Sequence, residues 1–233
     1  MDPSELKRQA AGRAVELVEP GMRLGLGTGS TARLVLEALA ARRQRGELED
    51  IVGVPTSTDT REHARQLGIP LTTLDEEIRL DMTLDGADEV DPGLDLIKGL
   101  GGALLWEKIV AAATDRLVIV VDESKLVDRL GTTSPVPVEV VPFGWRTLLD
   151  PIDALGGEAA LRRGADDEPF VTDGGHYILD CRFPAGLEDP HALQDRLRSW
   201  PAVVESGLFL DMADTVVVGT ADGPAMRRRE GSR

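Results

Sequence analysis

The first half of the chain alternates helix-spaced and strand-spaced apolar runs. Few architectures other than a mainly parallel sheet with helices on both faces absorb that rhythm. Apolar Leu6, Ala10, Ala14, Leu17 and Val18 predict a helix over residues 4–18, with Ser4 able to cap it. A strand is expected over 22–26, a helix over 32–41, a strand over 51–54 and a helix over 58–67 ended by Gly68. A strand over 79–84, a helix over 103–113 and a strand over 116–121 complete the series.

The rhythm breaks near Gly131, and residues 132–137, Thr-Thr-Ser-Pro-Val-Pro, read as a linker. Beyond it, 138–141 reads as extended, 145–155 as helical and 159–162 as extended. Two strands are expected at 170–171 and 176–182 around the turn 172–175, followed by a helix over 191–198. That β-α-β-β-α order predicts a small antiparallel sheet with two helices on one face, a split βαβ unit. Residues 203–204 and 215–218 read as strands leading back to the first domain, and 227–233 as a polar, solvated tail.

The net charge of −15 disfavours nonspecific binding to nucleic acid or to an anionic membrane surface. It also means that an anionic substrate would need a locally built positive site, and the chain has only four lysines, Lys7, Lys98, Lys108 and Lys125. No apolar run approaches the roughly 18 residues of a membrane span. The start, Met-Asp-Pro-Ser-Glu, lacks the basic head and apolar stretch of a secretion signal. One cysteine, Cys181, rules out an internal disulfide framework, so a cytoplasmic location is expected.

Four polar clusters follow predicted strands and are expected on one edge of one parallel sheet, where open α/β sheets bind ligands. The turn Gly25-Leu26-Gly27-Thr28-Gly29-Ser30-Thr31 pairs tight-turning glycines with a helix start, an anion cradle. It lacks the Gly-Lys-Ser/Thr of a Walker loop and the G-x-G-x-x-G of a dinucleotide fingerprint. An ordinary capped strand–helix turn would read the same way. Asp85-Gly86-Ala87-Asp88-Glu89 can turn two carboxylates toward one pocket, or form a solvated acidic turn; with Asp91 it could also hold Mg²⁺ or Ca²⁺. The loop from Lys98 through Gly99, Leu100, Gly101 and Gly102 offers backbone N–H groups to a developing oxyanion, with Glu107 and Lys108 on the helix that follows. Glu107 with Lys108 also fits a surface pair. Asp122-Glu123-Ser124-Lys125 is the fourth cluster.

These residues resemble the A-type ribose-5-phosphate isomerase family. The resemblance rests on 25–32, Gly-Leu-Gly-Thr-Gly-Ser-Thr-Ala; on 85–91, Asp-Gly-Ala-Asp-Glu-Val-Asp, leading to Ile97-Lys98-Gly99; and on 101–104, Gly-Gly-Ala-Leu, leading to Glu107-Lys108-Ile109. Asp122 to Lys125, Ser57-Thr58, Gly207-Leu208-Phe209 and Asp214 fit as well, so it covers nearly the whole chain. It implies a Rossmann-like, mainly parallel α/β domain over 1–130 plus 206–233, with an inserted ferredoxin-like α+β lid over 131–205. It implies interconversion of D-ribose 5-phosphate and D-ribulose 5-phosphate without metal or other cofactor, by a homodimer or larger homo-oligomer. By carry-over, Glu107 is the proton acceptor, and Asp85, Asp88 and Lys98 share in catalysis. Thr28, Gly29, Ser30, Thr31, Asp85, Gly86, Ala87, Asp88, Lys98, Gly99, Leu100, Gly101 and Lys125 contact substrate, with Lys7 near its phosphate. Two residues depart from the family's habit: Leu100 stands where a smaller or basic residue is common, and Trp106 where a polar or basic one is.

Other readings are a sugar-phosphate deaminase or lactonase of the same fold group, or a sugar-phosphate sensor module of a transcription regulator. The deaminase is favoured by a general-base histidine, but His63, His176 and His191 all fall outside the four clusters. The sensor needs a DNA-binding domain, which the pattern lacks.

Overall fold

Asp2 accepts the N–H of Ser4 and Pro3 opens the first turn, so Asp2 rather than Ser4 caps the first helix. The computed structural model describes residues 2–229. In chain order the elements are α1 (Pro3–Val15), β1 (Arg23–Leu26), α2 (Ser30–Gln44), β2 (Val52–Pro55), α3 (Thr58–Gln66), β3 (Met82–Asp85), β4 (Glu89–Val90) and β5 (Leu96–Ile97). They continue with α4 (Leu104–Ala112), β6 (Leu117–Asp122), β7 (Val136–Val140), α5 (Leu149–Asp153), β8 (Glu158–Leu161), β9 (Tyr177–Arg182) and α6 (Pro190–Arg198). The last are β10 (Val203–Ser206), β11 (Leu208–Phe209), β12 (Thr215–Thr220) and β13 (Gly223–Arg228). Two compact units result. One comprises Met1–Ala87, Trp106–Leu126 and Asp211–Arg233, the other Asp88–Leu105 and Val127–Leu210.

The first unit holds a six-stranded sheet in the order β13-β12-β6-β3-β1-β2. All its neighbours pair in parallel except β13, which runs antiparallel to β12. All six residues of β6 are buried, as expected of a central parallel strand covered on both faces. On one face Leu24, Leu26, Met82, Leu84, Val118, Val120 and Val217 form a core with Ala10 and Ala14 of α1 and Leu36 and Leu39 of α2. Burying each such leucine contributes about 1.5–3 kcal/mol. On the other face α4 lies close over β1: a side chain at Gly25 would meet Val110 Cγ1 at 2.6 Å.

The second unit holds a four-stranded antiparallel sheet in the order β10-β7-β9-β8. Read in chain order as β7-α5-β8-β9-α6-β10, this is a ferredoxin-like arrangement, with Val136, Val138, Val140, Leu179 and Cys181 packed beside Ile152, Leu193 and Leu197 of its helices. A short sheet, β11-β5-β4, belongs to the same unit.

Several expectations change. Residues 203–206 pair with β7 inside the second unit and do not return to the first. Val136 and Pro137 are strand, not linker. The connector before them is shaped by Glu89, which is fully buried and accepts the N–H groups of Gly131 at 2.6 Å, Thr133 at 2.6 Å and Ser134 at 2.5 Å. No strand forms at 170–171; Phe170 N–H instead donates to Arg162 O at 2.9 Å. Arg227 and Arg228, read as tail, lie in β13, while 230–233 lie outside the described residues. No helix of the described residues is long and apolar enough to cross a membrane.

Candidate active site

In the first unit the turn after β1 is shaped by the acid at the end of β3. Asp85 is 1% exposed, and its Oδ1 accepts the N–H of Thr28 at 3.1 Å and of Gly86 at 2.7 Å. Gly27 is obligatory beside it, because an added Cβ would fall 2.1 Å from that oxygen. Gly29, at φ +104°, then opens α2 with no side-chain cap, so the first N–H groups of a 15-residue helix are left for another acceptor. Lys7 of α1 reaches the same place, with Nζ 3.4 Å from Ser30 Oγ and 3.8 Å from Asp122 Oδ2 at the end of β6.

The Thr28 hydroxyl is engaged differently. It lies 2.8 Å from Thr56 Oγ1, 2.9 Å from Ser57 Oγ and 3.2 Å from Thr60 Oγ1. Thr56 and Thr60 in turn donate to the carbonyls of Leu26 and Gly27, each at 2.9 Å. The turn is thus held from beneath by a hydroxyl cluster in which Thr60 carries no signal in the sequence. Asp122 Oδ1 accepts the N–H of Ser124 at 3.0 Å and caps the short 3-10 turn Glu123–Lys125. Lys125, half-buried on that turn, has no hydrogen-bond or ion-pair partner among the described residues. Glu107 is on α4 and 4% exposed, so it is no surface partner for Lys108, itself 6% exposed.

In the second unit Asp88 donates its N–H to Ile97 O at 2.8 Å, and its Oδ2 accepts the N–H of Leu100 at 3.0 Å. Lys98 is 3% exposed, with Nζ 5.3 Å from the centre of the Phe209 ring. Its strand, β5, pairs with β4 and β11, so this cluster does not follow a strand of the parallel sheet as the other three do. In the following loop Gly102 N–H closes a turn onto Gly99 O at 3.0 Å, and Leu100 N–H is spent on Asp88. The N–H groups of Gly99 and Gly101 have no hydrogen-bond partner among the described residues. The turn demands glycine at 102: φ is +83° and an added Cβ would lie 2.4 Å from Phe170 Cζ.

Some sequence candidates have other work. Asp91 accepts the N–H of Asp95 at 2.9 Å and closes the turn between β4 and β5. Glu89 organises the connector. Cys181 is buried, which, with a smaller contribution from Asp180, pushes its thiol up to about 12 and leaves it a poor nucleophile.

A family model described as ribose 5-phosphate isomerase A (phosphoriboisomerase A) matches residues 52–223. Ribose-5-phosphate isomerase A of Roseiflexus castenholzii is 54% identical over 96% of this chain and 95% of its own length. The protein of that name from Rhodopseudomonas palustris is 56% identical over 96% and 97%. A solved D-ribose-5-phosphate isomerase in complex with phospho-erythronic acid superposes with a TM-score of 0.96, at 42% identity, covering 98% of this chain and all of that one. The Methanocaldococcus jannaschii enzyme follows at 0.92 and 41%, covering 97% of this chain and 100% of its own. With that likeness running through both units, the chain belongs to the ribose 5-phosphate isomerase A family.

Proposed function

We propose that this chain interconverts D-ribose 5-phosphate and D-ribulose 5-phosphate with Glu107 as the base. The likeness to ribose-5-phosphate isomerases over nearly the full length carries the reaction, an aldose–ketose isomerisation. The roles rest on the residues. The substrate phosphate takes the uncapped start of α2, with Lys7 and Lys125 supplying positive charge in a chain of net charge −15. Glu107 removes the proton from C2 of the open-chain aldose. The C–H electron pair becomes the C1–C2 double bond, and O1 takes the negative charge of an enediolate. Return of the proton to C1, with a proton passing from O2 to O1, gives the ketose. Gly99 and Gly101 N–H, each unspent among the described residues, stabilise the oxyanion; one such donor is worth about 2.7–4 kcal/mol. Asp85, Asp88 and Lys98 hold the hydroxyls and move protons between O1 and O2, with Gly86, Ala87 and Leu100 in contact.

The phospho-erythronic acid bound by the solved relative supports this reading, because its carboxylate resembles the planar, charged C1–C2 end of an enediolate. The reading carries with it a homo-oligomer, a cytoplasmic location and no nucleic-acid partner. The test is formation of ribulose 5-phosphate from ribose 5-phosphate with no added cofactor, with and without EDTA. The rate is expected to be the same in both. Loss in EDTA restored by one divalent metal would overturn the metal-free mechanism, and absence of turnover would overturn the activity.

A further inference from the structure

We propose that Arg162 is a positioning residue for the isomerisation, aiming the Gly101 N–H at the oxygen that becomes the oxyanion. This rests on the reading of the 99–102 loop given above. Arg162 Nη1 donates to Gly99 O at 2.8 Å and to Leu100 O at 3.1 Å. These carbonyls belong to consecutive peptides, and no peptide among the described residues is cis. In a trans peptide the N–H points opposite to the C=O. Holding Gly99 O therefore turns the Leu100 N–H away from Arg162 and onto Asp88 Oδ2. Holding Leu100 O turns the Gly101 N–H the same way. One guanidinium thus sets a donor toward substrate and, through Leu100, the carboxylate of Asp88.

Arg162 is itself fixed. Its Nε donates to Asp180 Oδ2 at 2.9 Å and its Nη2 to Asp180 Oδ1, a two-point clasp between planar groups. Its backbone is tied at both ends, N–H to Ile178 O at 2.8 Å and O from Phe170 N–H at 2.9 Å. The guanidinium lies 5.9 Å from the Phe170 ring, and that ring occupies the space against Gly102. The side chain is 12% exposed, and most of its fork is spent on carbonyls and carboxylate, which leaves little for direct contact with substrate. A lysine could not reproduce a fork that joins two carbonyls to a carboxylate.

The test compares Arg162→Ala, Arg162→Lys and Asp180→Asn with wild type in kcat, KM, thermal midpoint and inhibition by phospho-erythronic acid and by inorganic phosphate. In Arg162→Ala, kcat is expected to fall ~10- to 100-fold, as for a misplaced catalytic donor. KM and inhibition by inorganic phosphate should stay within about threefold of wild type. Inhibition by phospho-erythronic acid should weaken by the same factor as kcat/KM, because the donor serves the charged oxygen and not the phosphate. Arg162→Lys should fail to restore kcat, and Asp180→Asn should fall between it and wild type. If Arg162→Ala does not fold, these two variants decide the matter by the same pattern. A lowered thermal midpoint with kcat intact would make Arg162 purely structural and overturn the proposal. Raised KM and weakened phosphate inhibition at unchanged kcat would make it a phosphate ligand, and also overturn it. Glu107→Gln is measured alongside. If it is inactive while the Arg162 variants are normal, only this proposal fails; if it is fully active, the site reading fails.

Discussion

Asp85 Oδ1 accepts the backbone N–H of Thr28 at 3.1 Å, so the acid ending one strand sets the shape of the turn ending its neighbour. An asparagine can still accept there, but it brings an NH₂ and removes the charge. Asp85→Asn is expected to lower turnover while keeping hydrogen exchange at C2 of bound substrate, since proton abstraction belongs to another residue. Exchange from deuterium oxide, followed by proton NMR, checks this; loss of exchange with turnover would make Asp85 the base.

Glu107→Gln keeps size and hydrogen bonding but cannot take a proton. Turnover should fall by about 10²- to 10⁴-fold, the usual contribution of a general base. Substrate affinity should stay within about tenfold, or ~1.4 kcal/mol. C2 exchange should vanish together with turnover, since both need the same abstraction.

Lys125 has no partner among the described residues, which is notable in so acidic a chain. Lys125→Ala is expected to raise KM for ribose 5-phosphate and flatten its dependence on ionic strength, with a smaller change in kcat. Kinetics at low and high salt test the assignment; collapsed kcat at unchanged KM would move Lys125 to the reacting carbons.

Glu89 carries the same charge as Asp85 and Asp88 within one short stretch, yet its oxygens are committed to Gly131, Thr133 and Ser134. Glu89→Ala would leave those donors unmet and should cost about 3 kcal/mol of stability, on the scale of hydrogen bonds to a buried charge. Denaturant unfolding measures it. Turnover per folded molecule should change less than in Glu107→Gln.

The Cys181 thiol, pushed up to about 12 by burial, stays protonated in the folded chain where an unfolded one, at about 8.5, ionises. Its contribution to stability is complete below about pH 8.5 and is lost progressively as pH rises toward 12. A disulfide-exchange reagent at pH 8 should find no reactive thiol in native protein and one in denaturant, matching the single cysteine.

The parallel sheet was legible because its strands and helices each carry their own period. The turns at Gly27 and Asp85 were legible because glycine and acid placement is local. What escaped was long-range. Residues 132–137 look like a linker until Glu89 holds Thr133 and Ser134 and β9 pairs with Val136 and Pro137, and Val203 is a strand of the second unit only because Val140 pairs with it. Arg162 gave no signal because its contacts to the loop are to backbone carbonyls, which no side-chain pattern reveals. For the same reason the loop's glycines looked equivalent, although Gly102 spends its N–H on a turn and Gly101 does not.

The strand that takes up Arg227 and Arg228 has a protective consequence. β12 is a run of buried valines, Val216, Val217 and Val218, and its outer backbone pairs only with β13. β13 itself is poorly suited to accept another strand, since it carries Pro224 and ends in Arg227 and Arg228. It acts as a selvage, finishing the weave so that it cannot fray or be extended. Ending the chain before Gly223, and so removing its arginine-rich end, strips that border and leaves an apolar strand open to adhesion between copies, a route to insoluble protein.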